Sequence, residues 1–131
     1  MEAKELRLGN LILYRDEPRE VSSISKFTIT FYNEYWVDDP IIDLDFFRLK
    51  PMLLTDEYLL KIGFEKHHMD YFFKRYDIDD FRSEVEISES SDGNGFILCV
   101  SYNEYWIGEP FLYVHQLQNL WFSLTGKELE V

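Results

Sequence analysis

"FRSEVEISESSDGNGFILCVSY", residues 81–102, alternates on both sides of a turn signal. Phe81, Ser83, Val85 and Ile87 share one parity and Arg82, Glu84 and Glu86 the other, which is the period of a strand with one face toward a core. "SDGNGF" at 91–96 carries the Gly, Asn and Asp residues of a hairpin turn, and "FILCVSY" returns as a branched and aromatic strand. "MDYFFKRY" at 69–76 supplies another strand upstream. These segments predict an antiparallel sheet.

Toward the N-terminus, "LRLGNLILYRDEPREVSSISKFTITFY" at 6–32 breaks at Gly9-Asn10 and at Asp16-Glu17-Pro18 into short segments rich in branched and aromatic residues. Phe27, Ile29 and Phe31 alternate there with Thr28, Thr30 and Tyr32, and "DFFRLKP" at 45–51 adds one more strand. Four or five short strands in so few residues predict a small SH3-like β-barrel over 1–53. "LLTDEYLLKIGF" at 53–64 follows as a short linking helix. Thr55 stands at its cap, Asp56 and Glu57 sit where the helix dipole favours anions, and Gly63 stands at its stop.

"YVHQLQNLWFSLTG" at 113–126 is the longest helical signal, with Gly126 as its stop. At 100° per residue, Tyr113, Val114, Leu117, Leu120, Trp121 and Leu124 fall on an apolar arc; His115, Gln116, Gln118, Asn119 and Ser123 fall on a polar one. Phe122 lies among the polar residues, which destines it either for the N-terminal barrel or for a partner. The fold class expected is α+β. An SH3-like β subdomain (1–53) precedes a unit (54–131) in which the linking helix, the antiparallel sheet and the C-terminal helix pack together.

The chain has 131 residues, of which 46% are hydrophobic and 18% aromatic, a composition that folds rather than stays disordered. Its net charge is -12, and the acidity is regional: residues 1–50 carry 7 basic and 10 acidic side chains, residues 51–131 carry 6 and 15. Between Tyr76 and Leu112 nine carboxylates, among them Asp77, Asp79, Asp80, Glu84 and Glu86, face Arg82 alone. Such a surface repels phosphate backbones and attracts basic partners over roughly 8 Å at physiological salt. Direct nucleic-acid binding is disfavoured. No signal peptide or membrane-length apolar run is read, and Cys99 is the sole cysteine, so a cytoplasmic protein is expected.

The phrase "FYNEYWVDDP" at 31–40 recurs as "SYNEYWIGEP" at 101–110. Asn33-Glu34 and Asn103-Glu104 each sit between aromatic residues after an apolar strand, which suits a tight hairpin with Tyr32 opposite Tyr35 and Tyr102 opposite Tyr105. If the strand runs straight, Tyr32, Glu34 and Trp36 share a face. Duplication or coincidence, with the rings filling cores, accounts for the repeat in one way. Presentation of Tyr32, Tyr35, Trp36, Tyr102, Tyr105 and Trp106 beside carboxylates such as Glu104, to receive Arg or Lys, accounts for it in another.

Catalytic and metal signatures do not complete themselves. "DIDD" at 77–80 begins like a calcium loop but has Phe81 at the fifth position and lacks the later Gly and Glu. His67 and His68 are adjacent and point apart, His115 has no nucleophile at a recognisable spacing, and Cys99 reads as a small buried hydrophobe. No cofactor, metal or catalytic residue is expected.

"ELRLGN" at 5–10, "LLTDEYLLKIGFEK" at 53–66 and "YVHQLQNLWFSLTGKEL" at 113–129 resemble a family of small uncharacterised proteins of Bacteroidota prophages and mobile elements. The resemblance implies origin, and it carries over no functional residue. With the acidic and aromatic surface it suggests a non-catalytic protein-binding module, an anti-CRISPR-like inhibitor of a host nucleic-acid-binding defence enzyme. An RNA-guided nuclease is the first candidate partner. Binding would fall to Asp77, Asp79, Asp80, Glu84, Glu86, Glu104, the repeat aromatics and Phe122. The alternatives are an SH3-like peptide-binding adaptor and a small enzyme without a recognisable motif.

Overall fold

Arg15 and Asp16, with φ of 51° and 64°, form the two-residue turn that joins β1 (Leu11–Tyr14) to β2 (Glu17–Ile24), with Tyr14 opposite Glu17. Positive φ at both central residues matches the right-handed twist of the flanking strands, so the hairpin closes tightly. The computed structural model describes residues 5–24, 29–31, 39–41, 49–67, 71–78, 81–90, 95–100 and 106–131; at 29–31, 39–41, 76–78, 81–83, 100 and 106–109 it describes the backbone alone.

The described chain is mixed α+β, with two five-stranded antiparallel sheets and two helices. It divides into two compact units, Met1–Leu53 with Tyr113–Leu129, and Leu54–Leu112 with Glu130–Val131.

In the first unit, β3 (Ile29–Phe31), β4 (Asp39–Ile41) and β5 (Leu49–Pro51) complete a sheet of order β4-β3-β2-β1-β5. β2 shifts register between Val21 and Ser23 against β3, an irregularity of the kind that bends a strand. Among the described residues no pairing joins β4 to β5, so the sheet is open where a closed SH3-like barrel was expected. Leu6, Ile12, Val21 and Leu49 form its buried cluster, with Tyr14 and Ile24 packed against them.

Helix α2 (Val114–Thr125) lies in this first unit, whereas the sequence reading attached it to the second sheet. The physical reason is its polar arc. Gln118 is buried; its carboxamide nitrogen donates to the Gly9 carbonyl at 2.9 Å, and its oxygen accepts from the Leu11 amide at 2.8 Å. Asn119 accepts from buried Asn10 at 2.9 Å and donates to the Glu5 carbonyl at 2.9 Å. Residues of the polar arc thus satisfy backbone groups of the N-terminal segment, because a buried peptide group must find a partner. At the helix start Gln116 accepts from the Tyr113 amide, and at its end Gly126, with φ of 69°, donates to the Phe122 carbonyl.

The second unit opens with α1 (Asp56–Lys61), capped as expected by Thr55, whose hydroxyl accepts from the Tyr58 amide at 3.1 Å. Its sheet runs in chain order through β6 (Glu65–Lys66), β7 (Tyr71–Ile78), β8 (Phe81–Glu89), β9 (Phe96–Val100) and β10 (Trp106–Phe111). Val85, Ile87, Phe72, Leu98 and Phe96 take the buried parity, as the alternation around residue 85 requires.

Both copies of the repeated phrase span a link between consecutive antiparallel strands, the third and fourth of the first sheet (β3 to β4) and the fourth and fifth of the second (β9 to β10). A two-residue turn at Asn33-Glu34 would set Phe31 opposite Trp36, and one at Asn103-Glu104 would set Cys99 opposite Gly108. The ladders instead pair Phe31 with Asp39 and Cys99 with Trp106, so neither follows the tight-hairpin register. The Tyr32–Tyr35 and Tyr102–Tyr105 pairs themselves lie outside the described residues, as does the turn at 91–94.

Two substitutions separate the backbone demands. Gly95, at φ of 107°, would bring an added Cβ to 2.5 Å of the Phe111 carbonyl oxygen, whereas at Gly126 nothing lies within 4 Å. Gly95→Ala is expected to cost about 2–3 kcal/mol and Gly126→Ala only about 1 kcal/mol, as read by denaturant unfolding. In the same assay Gln118→Leu, which strands the Gly9 carbonyl and the Leu11 amide, is expected to cost about 2–4 kcal/mol. A loss below that of Gly126→Ala would show that the amide is not what docks the helix.

Candidate functional site

Strand alternation that buries Phe72, Val85 and Ile87 turns Tyr71, Phe73, Arg75, Glu84, Glu86 and Ser88 to the opposite face of the second sheet. Register makes them neighbours: Tyr71 is opposite Ser88, Phe73 opposite Glu86, and Arg75 opposite Glu84. Glu65 stands beyond Phe73 on β6, and Cys99 stands beyond Glu86 on β9. Opposed side chains of an antiparallel pair lie roughly 5 Å apart at Cβ, and Glu84 and Glu86 are roughly 7 Å apart along the strand.

Three rings gather on this face. His67 stacks on Tyr71 with centroids 4.6 Å apart and planes 11° apart; Phe73 meets His67 at 6.3 Å and Tyr71 at 6.5 Å. The His67 amide donates to the Tyr71 carbonyl at 2.8 Å, which ties the loop after β6 to β7. All three residues are half-buried.

Glu84 and Glu86 are half-buried too, and neither forms an ion pair or side-chain hydrogen bond among the described residues. Arg75, though opposite Glu84, is exposed and makes no ion pair with it. Burial first, and the charge of Glu84 second, push the Glu86 carboxyl above its ordinary value, with His67 acting in the other direction. Desolvation and the same two carboxylates raise the Tyr71 phenol. Apart from the opposing effect of His67, no arginine or lysine among the described residues is ion-paired to these two carboxylates.

Of the residues expected to bind a partner, the structure brings Glu84 and Glu86 together. Asp77 and Trp106 lie in β7 and β10, opposite Arg82 and Cys99 respectively. Tyr32, Tyr35, Trp36, Asp79, Asp80, Tyr102, Glu104 and Tyr105 lie outside the described residues. Phe122 belongs to the first unit. It is 38% exposed on α2, and the Arg7 guanidinium lies 4.0 Å over its ring, so it meets the N-terminal segment while part of the ring stays in solvent. Tyr71, Phe73 and His67 were not among the expected site residues. The signal was the parity of "YFFKRY", which puts Tyr71, Phe73 and Arg75 on one side.

A second polar cluster, in the first unit, is structural. His115 on α2 is fully buried, and neither ring nitrogen has a hydrogen-bond partner. The Glu5 carboxylate approaches Nε2 to 3.9 Å, beyond hydrogen-bonding distance, and Tyr113 stacks at 5.9 Å. Burial pushes the His115 pKa down, and the Glu5 charge opposes that shift. Among the described residues no three His, Cys, Asp or Glu side chains could hold a metal ion, and no helix is long and apolar enough to cross a membrane.

Comparison of the chain with protein-family models, curated proteins and solved structures finds no match.

A carboxyl whose folded-state value is raised contributes stability below its ordinary value of 4.5, and that stability is lost as pH rises through the folded value. Glu86→Gln is therefore expected to melt at a higher temperature than the parent at pH 7, with the gap closing below about pH 4. Thermal melts across that range check it; equal melting at pH 7 would mean that Glu86 is under no electrostatic strain.

Proposed function

We propose that the protein is a non-catalytic, acidic binding module of phage or mobile-element origin. It inhibits a host nucleic-acid-binding defence enzyme, in an anti-CRISPR-like manner, by offering the outer face of its second sheet to a basic surface. An RNA-guided nuclease is the first candidate, because such an enzyme keeps a positively charged channel for a nucleic-acid backbone. The observation that carries the reading is the pair Glu84 and Glu86, half-buried on the face that holds the rings of Tyr71, Phe73 and His67, with no described arginine or lysine ion-paired to them. Partly desolvated charge without a counter-charge is stabilised by a cationic partner, and aromatic rings beside it add cation–π and contact area. The net charge of -9 over residues 51–131 supports steering toward the same kind of surface. The choice of a defence nuclease rests on the resemblance of the 5–10, 53–66 and 113–129 segments.

A second reading, a peptide-binding adaptor, draws on the first unit. A meander flanked at β1 by the returning β5, with β2 interrupted by a register shift, is an arrangement from which a small SH3-like barrel can curl.

Inhibition titrations test the leading reading. The full chain is expected to block target cleavage by an RNA-guided nuclease of its host, and Glu84→Lys with Glu86→Lys is expected to raise the half-inhibitory concentration at least about tenfold without lowering the melting temperature. Inhibition that survives both reversals, or no inhibition of any such nuclease, would remove the proposal.

A further inference from the structure

One arginine of the chain already occupies a seat built from a ring, a carboxylate and an amide. The Arg7 guanidinium lies 4.0 Å over Phe122, Nη2 is 2.7 Å from Glu128 Oε1, and Nη1 is 3.3 Å from Asn119 Oδ1. On the outer face of the second sheet the ring and the carboxylate recur, and among the described residues no arginine or lysine is ion-paired there. Phe73 is directly opposite Glu86, Tyr71 leans on Phe73 at a 59° tilt, and Glu84 follows two residues from Glu86. We propose that this face is the seat of an arginine side chain of the partner, its guanidinium on the Tyr71 and Phe73 rings and ion-paired to Glu84 and Glu86. The inference rests on the reading of the face as a protein-binding surface and specifies what it receives.

Arginine fits better than lysine for two reasons. A guanidinium is planar, weakly hydrated and forked, so it can lie on a ring and keep in-plane donors for carboxylate oxygens; an ammonium is compact and holds its water. The chain itself shows the difference. Its two described arginine–ring contacts are at 4.0 and 5.2 Å, and its three described lysine–ring contacts at 5.6, 5.7 and 5.9 Å. Charge complementarity points the same way, since Glu65, Glu84 and Glu86 on this face meet Arg75 as the sole described arginine or lysine side chain, and Arg75 leaves both β8 carboxylates unpaired.

The test uses the full chain and two capped peptides, Gly-Arg-Gly-Arg-Gly and its lysine counterpart, titrated at one ionic strength with amide chemical shifts as the readout. The arginine peptide is expected to bind at least about fivefold tighter, with the largest shifts at Tyr71, Phe73, Glu84 and Glu86. Phe73→Leu should bring it down to the level of the lysine peptide, and Glu86→Gln should weaken both peptides. Equal affinity of the two peptides, or no binding of either, would overturn the arginine seat. Equal binding that disappears in the Glu84→Lys, Glu86→Lys chain would leave the acidic face standing as a general cation surface. Shifts confined to another part of the molecule would remove both the seat and the face.

Discussion

The carboxamide of Gln118 stands in for a peptide group. It accepts from the Leu11 amide and donates to the Gly9 carbonyl, and so continues the hydrogen bonding of β1 past the point where a strand partner is available. Through it and Asn119, residues near the start of the chain and a helix more than a hundred residues later become parts of one unit. The rest of the first unit depends on that constraint. α2 is buried at Val114, Leu117 and Trp121 on its apolar arc and at His115 and Gln118 on its polar arc, so it has apolar packing on one side and directional bonds on the other. His115 takes the cost: buried with both nitrogens unbonded, it favours the neutral form, with the Glu5 carboxylate opposing that preference.

In the second unit one period of two does both jobs. The parity that sends Phe72, Val85 and Ile87 inward sends Tyr71, Phe73, Glu84 and Glu86 to the opposite face, and antiparallel register sets the Tyr71 and Phe73 rings beside carboxylates. A site built on strand backbones is rigid in its spacing, which favours a partner group of defined shape over a diffuse charge. The raised Glu86 carboxyl records the same arrangement from the energetic side: two like charges are kept close and partly out of water, and the opposing effect of His67 is smaller than theirs.

The two units also share an architecture. Among the described residues each has a five-stranded antiparallel sheet and one helix, and in each the repeated aromatic-acidic phrase links two consecutive strands of a meander. The helices are distributed in an unexpected way. α1 follows the first meander in sequence but belongs to the second unit, and α2 follows the second meander but belongs to the first. A helix amphipathic along its length can serve any apolar sheet face, so helical periodicity does not say which sheet it serves.

Strand alternation at 81–87, the Thr55 cap, the Gly126 stop and the α+β class were legible in the residues, because each depends on backbone geometry within a few positions. The parity of Glu84 and Glu86 was legible for the same reason. Their company was not. That Phe73 stands opposite Glu86, that His67 folds back on Tyr71, and that Gln118 and Asn119 face backbone rather than water are matters of register and packing between distant segments. By itself the sequence determined which side chains share a face of each element, since that follows from periods of 2 and 3.6. Only the tertiary structure decided which faces meet, because register and helix docking are chosen by the summed hydrogen bonds and burial of groups that no local pattern brings together.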